Sequence, residues 1–366
     1  MSTAAALLRT PLYEAHRKLN ARLVDFAGWD MPVQYPSGII AEHLAVRSGC
    51  GVFDLSHMGR VFVRGPDAVR LAQVCATRDL SRVAAGQAAY SLLCREDGGI
   101  LDDVIAYLLG PEEILFVFNA SNRESDTAWF KQHAIGRDVQ VDDRTFDTAL
   151  IGVQGPTAQQ ALQPLCKADL EPLPGYSFVE TQVHGHPALV ARTGYTGEDG
   201  FEVMVDAEHA EGVWEAVLEH AQPAGLGARD TLRTEAGMAL YGHEIDTSTN
   251  PYEARLGWVV SLGKEFIGRA ALAKIKEQGP GRRLLGLLVE AGGVPRPGFA
   301  ILSGGQSVGS LTSGTYSPSL KRNIALGYAP VDVAQPLAVE MRGKAVPAEV
   351  TKLPFVPHRT RPRATM

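Results

Sequence analysis

Hydrophobic and polar positions change period repeatedly along the chain. Val61 to Arg64, Tyr90 to Cys94, Ile100 to Leu109, Ile114 to Asn119 and Ala149 to Val153 are short apolar runs bounded by turn residues. Such runs predict strands, and Gly98-Gly99 predicts a tight turn joining the second to the third. Helices are predicted over Tyr13 to Val24, over Ile40 to Ser48, and after Gly65-Pro66-Asp67, where Val69, Leu71 and Val74 follow. Gly155-Pro156 opens another. From His209 to Ala221, Val213, Trp214, Val217, Leu218 and Ala221 recur at three- and four-residue spacing, the mark of an amphipathic helix. A last helix is expected from Thr231 to Tyr241, stopped by Gly242.

Beyond Gln278 the pattern changes. Gly279 to Arg283 reads as a linker, followed by short β-like runs such as Leu284 to Val289 and Ile324 to Tyr328. This predicts a C-terminal all-β barrel or jelly roll over residues 282–366. The larger part, residues 1–278, reads as α+β with antiparallel sheets. A chain of 366 residues exceeds one ordinary core, so more than one lobe is expected.

Composition narrows the class. The net charge is −6 and the pI about 5.9, which argues against nucleic-acid binding, where a basic field supplies much of the affinity. No apolar stretch reaches membrane-spanning length. Cys50, Cys75, Cys94 and Cys166 are widely spaced with no C-x-x-C pair, as expected of free thiols in a reducing compartment. The first ten residues match neither a secretory nor a transit signal, so a bacterial cytoplasm is the expected location.

The candidate chemistry lies in two places. In Arg192-Thr-Gly-Tyr-Thr-Gly-Glu-Asp-Gly-Phe-Glu-Val203, three glycines three residues apart separate two apolar runs, which reads as an ordered turn between strands. Alternation puts Glu202 on the face of Met204, opposite Phe201, Val203 and Val205. Either Glu202 faces solvent on an edge strand, or that face is buried and the carboxylate needs a partner. Asp102 and Asp103 fall on opposite faces of their strand with apolar neighbours on both, so at least one is expected in a partly dry setting that raises a carboxyl pKa. An exposed strand start beside the glycine turn is the alternative. His184-Gly185-His186 has no third ligand in reach of the pattern, so no metal is expected there. Ser56-His57 are mere neighbours, and Gly225-x-Gly227 lacks the strand and third glycine of a dinucleotide loop.

The glycine-rich turn resembles the signature of the T-protein family of the glycine cleavage system, tetrahydrofolate-dependent aminomethyltransferases. Five further blocks resemble that family in the same order: Phe26 to Pro32, Phe53 to Gly59, Gly98 to Asp103, Gly225 to Asp230 and Thr312 to Leu320. The resemblance implies three lobes around a central channel, the first two interleaved within residues 1–278, with the second at about 52–140. It implies Asp103 as the catalytic carboxylate and Glu202 as the group that recognises the pterin. It also places Arg229, Tyr195, Asn119 and the ring of Tyr90 at the folate. Arg359 falls near a ligand position, with a frayed basic terminus as its alternative.

The implied reaction moves the methylene of an S-aminomethyl-dihydrolipoyl group on the H-protein to tetrahydrofolate, releasing ammonia. Tetrahydrofolate is the acceptor substrate, and no metal is called for. Two rivals share the scaffold: a folate-dependent demethylase and a non-enzymatic folate binder. The latter carries a cysteine-containing K-G-C-x-x-G-Q-E block where this chain has Gly194 to Gly200 with no cysteine.

Overall fold

The structure is a computed structural model that describes residues 6–363. The segment read against a leader therefore lies partly outside the described residues.

Three large sheets and one two-stranded hairpin build the molecule. A six-stranded sheet runs in the order Phe178–Val183, His186–Ala191, Gly200–Asp206, Thr148–Gln154, Gly51–Asp54 and Gln222–Pro223, antiparallel except for the last pair. A five-stranded antiparallel sheet has the order Ala88–Cys94, Ile100–Gly110, Glu113–Phe118, Gly59–Arg64 and Gln140–Asp143. All five of its strands lie in the chain between Gly51–Asp54 and Thr148–Gln154, which are neighbours in the first sheet. The third sheet is the closed antiparallel barrel from Arg282–Val289 to Lys344–Thr351. The fold is thus α+β with a C-terminal six-stranded barrel.

Each of the first two sheets buries its two faces differently. One face of the six-stranded sheet packs Val190, Phe201, Val203 and Val205 against helix Ala210–Leu218, whose Trp214 is fully buried. One face of the five-stranded sheet packs Val104, Ala106 and Phe116 against helices Ala68–Cys75 and Arg123–Ala134, through Leu71 and Phe130. The remaining faces meet each other, with Phe53, Leu150 and Leu189 against Phe62, Leu115 and Val117. Alternation along every strand lets one sequence serve both layers. The helix Leu226–Glu235 closes this middle layer with Ala228 and Leu232.

Several predicted boundaries move. The helix expected over Tyr13 to Val24 ends at Lys18, because Asn20 takes a left-handed φ of 54°. The chain then forms a hairpin, Arg22–Phe26 with Trp29–Gln34, across a two-residue turn at Ala27-Gly28 with both φ positive. The helix expected from Thr231 instead spans Leu226–Glu235, and Gly237, with φ +65°, ends it well before Gly242. The Gly225-x-Gly227 turn is itself the helix start. A Cβ at Gly225 would stand 2.5 Å from the Val33 backbone, so the helix docks on the hairpin only because glycine is there. Helix Arg269–Gln278 has no counterpart in the expected pattern; Leu272 is its one buried residue.

Candidate active site

The middle layer opens into a cavity of about 620 Å³, walled by both sheets, helix Leu226–Glu235 and the tail that follows the barrel. Asp103, Tyr90, Asn119, Tyr195, Glu202 and Arg229 all line it.

Strand Gly200–Asp206 is interior, paired on both sides, so Glu202 is not on an edge. Its neighbours Phe201 and Val203 point into the helical core, which sends Glu202 to the middle layer beside Met204. There the carboxylate accepts hydrogen bonds from Thr193 Oγ1 (2.6 Å) and Tyr107 OH (3.1 Å). Both bonds end on Oε2, which leaves Oε1 for a donor in the cavity. The turn ahead of this strand is held by Gln154, whose amide donates to the carbonyls of Thr193 (3.0 Å) and Phe201 (3.2 Å). A Cβ at Gly194 would lie 2.0 Å from Gln154 Oε1, and one at Gly200 2.6 Å from the Val153 carbonyl. Only Gly197 of the three needs a positive φ, +76°. Two of the glycines are therefore there for close approach, and one for backbone conformation.

On the facing strand, Ile100–Gly110, the two acids part as alternation requires. Asp103 shares the cavity face with Ile105 and Tyr107, while Asp102 is fully buried on the side of helix Arg123–Ala134. Tyr90 OH donates to Asp103 Oδ2 (3.0 Å) and Asn119 Nδ2 donates to its Oδ1 (2.8 Å). Burial first, and the nearby Asp102 charge second, push the Asp103 carboxyl up to about 7. Such a group gains and loses a proton near neutrality, as proton transfer demands.

Arg229 supplies the positive counterpart. Its guanidinium sits 4.7 Å from the centre of the Tyr195 ring and makes no ion pair among the described residues. Glu235, further along the same helix, is taken by Arg47 (2.9 Å) and His43 (3.2 Å). Burial lowers the Arg229 pKa, opposed by Glu202, Tyr195 and Asp103. Tyr195 OH donates to the Ala239 carbonyl, which holds the ring flat beneath the guanidinium. Tyr90 stacks on Trp258, with ring centres 5.8 Å apart and 18° between planes.

Arg359 takes no part in the wall. It donates to Glu198 (2.5 Å) and to the Arg47 carbonyl (3.1 Å), fastening the tail to the domain. Arg363 lines the cavity instead, 3.8 Å over the Tyr176 ring. Met58 and Trp258, which pattern reading passed over, also line the cavity, as does His57, which it set aside as a mere neighbour of Ser56. His57 is held neutral, its pKa lowered to about 3 by burial. Its position beside Ser56 and Met58 carries no pattern that would mark it, so only the fold aims it inward. His184 and Gly185 form a turn with positive φ, and no metal-binding group of three ligands occurs among the described residues. All four cysteines are free and buried, and none lines the cavity.

Residues 12–264 match the family model of the GCVT N-terminal domain, and residues 282–357 that of the glycine cleavage T-protein C-terminal barrel domain. The chain belongs to the glycine cleavage T-protein family. Among T-protein relatives, the aminomethyltransferase of Rubrobacter xylanophilus is 52% identical over 95% of this chain and 94% of its own. That of Thermus thermophilus is 49% identical over 95% and 99%. The crystal structure of the glycine cleavage system aminomethyltransferase T from Bartonella henselae superposes with a TM-score of 0.92 at 35% identity, covering 97% of this chain and 99% of that one. Agreement of this extent over both domains makes this T-protein an aminomethyltransferase of the glycine cleavage system. No helix among the described residues is long and apolar enough to cross a membrane.

Proposed function

We propose that the cavity is where tetrahydrofolate receives the methylene of an aminomethyl group carried on the lipoyl arm of the H-protein. The observation that carries this reading is one cavity presenting three groups of complementary kind: the open Oε1 of Glu202, the guanidinium of Arg229, which has no ion pair among the described residues, and the Asp103 carboxyl, which titrates near neutrality.

A pterin offers an amino group and an adjacent ring N–H. A carboxylate braced through one oxygen by two hydroxyls is a fixed acceptor for such donors, and charge-assisted bonds of this kind are among the stronger ones. Arg229 stabilises negative charge on the same ligand. Asn119 and Tyr90 hold the Asp103 carboxylate from two sides, so it meets the reacting nitrogens in one orientation.

The overall change breaks the C–N bond to ammonia and the C–S bond to the lipoyl sulfur, and forms two bonds from carbon to folate nitrogens. The two protons lost by those nitrogens end on ammonia and on the thiol. Asp103 relays a proton from an attacking nitrogen, and its negative form stabilises the positive charge that develops at the methylene. The surrounding apolar wall excludes water from that iminium-like centre. The buried free thiols suit a reducing compartment and support a cytoplasmic setting.

The test is ammonia release from aminomethyl-loaded H-protein with and without tetrahydrofolate, for wild type and Asp103→Asn. Expected is folate-dependent release that the substitution abolishes while folate affinity persists. A folate-binding wild-type protein that releases no ammonia overturns the reading in favour of a demethylase or a non-enzymatic binder.

A further inference from the structure

Behind Asp103 lies a second carboxyl pair that the reading above leaves unused. Asp102 is 0% exposed and Asp126, on helix Arg123–Ala134, is 3% exposed. Asp102 accepts from Asn119 N–H (3.0 Å), Asn119 Nδ2 (2.8 Å) and Asn122 Nδ2 (2.7 Å). Asp126 faces Asp102, and its buried Oδ2 has no partner as long as both groups are drawn as carboxylates. Two dry carboxylates in contact repel; with one proton between them they make a strong hydrogen bond. The choice of proton holder follows from the donors. Asp102 has three N–H groups aimed at it, which favour its anion. Asp126 has none, so Asp126 keeps the proton and donates.

We propose that Asp126 is a positioning residue for the transfer reaction: its carboxylic acid donates to Asp102, keeps Asp102 ionised, and so fixes the charge lying beneath Asp103. The proposal rests on the assignment of Asp103 as the reacting carboxylate. The link between the two layers is Asn119, whose single Nδ2 donates to Asp102 Oδ1 and to Asp103 Oδ1, both at 2.8 Å. An anion on one side of the strand raises the proton affinity on the other. The groups facing Asp103 are Asp102 on its own strand, Asp126 on the helix beneath, Tyr90 on the adjacent strand, Tyr241 on the side of Asp102 and Asp126, and Tyr195 and Arg229 across the cavity. Of these only Arg229 opposes the acids, and it stands on the far wall.

The experiment is the pH profile of kcat/KM for folate-dependent ammonia release, using the full chain and loaded H-protein. Removing the buried charge with Asp102→Asn moves the Asp103 limb down by about one pH unit or more. Asp126→Ala deprives Asp102 of its O–H donor, so Asp102 takes up the proton itself and the limb again moves down. Asp126→Asn keeps a neutral donor and returns the limb towards its wild-type position. An unmoved limb in Asp126→Ala, or one displaced as far by Asn as by Ala, overturns the proposal. Where Asp126→Ala does not fold, Asp102→Asn against Asp126→Asn decides: equal displacement overturns it. Wild type without folate-dependent release overturns the functional reading itself and this proposal with it. Active wild type with unmoved limbs removes only the role of Asp126.

Discussion

Glu202→Gln separates recognition from folding more cleanly than any other single change in the cavity. In the wild type, Thr193 Oγ1 and Tyr107 OH both donate to Oε2. Gln can keep its carbonyl oxygen in that place, so both hydroxyls stay satisfied and no buried donor is orphaned. Its amide nitrogen then occupies the cavity side, where the carboxylate had offered Oε1. A ligand that brings N–H groups meets N–H, and a charge-assisted bond is lost. Hydrogen bonds to charged groups contribute about 1.5–3 kcal/mol, so tetrahydrofolate affinity should fall by roughly 10- to 150-fold. Titration calorimetry of tetrahydrofolate binding, paired with a thermal melt of the free protein, measures both sides. The expected outcome is weakened binding with an almost unchanged Tm. Binding weakened less than about threefold, with the fold intact, would mean Glu202 does not touch the folate, since a charge-assisted bond contributes more than that.

Three further outcomes follow from the same geometry. The raised Asp103 carboxyl is tolerated best when protonated, so its penalty grows as pH rises from its unfolded value near about 4 to its folded value of about 7 and is then constant. Melts of Asp103→Asn should therefore exceed wild type by a few degrees at pH 8, with the gap closing towards pH 4; a gap that does not vary with pH contradicts the argument. Arg229→Met removes a half-buried cation that has no ion pair among the described residues, while keeping apolar bulk over Tyr195. It should raise Tm yet weaken folate binding tenfold or more, by the usual exchange between stability and function, about 1.4 kcal/mol or above. Gly194→Ala would drive a methyl into Gln154, 2.0 Å away, and loosen the turn that Gln154 ties to Thr193 and Phe201. Overpacking of this kind costs about 1–3 kcal/mol, to be read in denaturant titrations.

The parts of the site that depend on strand period were legible in the sequence. Alternation alone parts Asp102 from Asp103 and sets Glu202 with Met204, and the structure places them so. The glycine turn was equally visible, although the need for glycine at two of its three positions comes from Gln154, forty residues away in the chain. What sequence could not show is which groups are left without partners. Glu235 lies on the same helix as Arg229, but Arg47 and His43 reach it from another helix, and the adjacent Asp230 pairs with Arg233. Arg359 looks like a ligand group in a basic tail, and is drawn off by Glu198 from the signature turn. Helix Arg269–Gln278 escaped because it is short, rich in Ala and Lys, and buries only Leu272.

The insertion of one sheet into another also dictates an order of assembly. Gly51–Asp54 pairs with Thr148–Gln154, so Gly51 opposes Gln154 across about a hundred residues of chain. A nascent chain emerges from its N-terminus and folds by units, and a closed loop of that length slows pairing of its ends. In the inserted five-stranded sheet two of the four pairings join neighbouring strands through short turns, and even its longest pairing spans less chain than the outer one, so it forms first; in doing so it brings the two waiting strands together. Asp103 is thus in place before Glu202 has a sheet to join. The cavity takes shape as synthesis closes the outer sheet over a finished inner one, and the C-terminal tail, pinned by Arg359, seals it last.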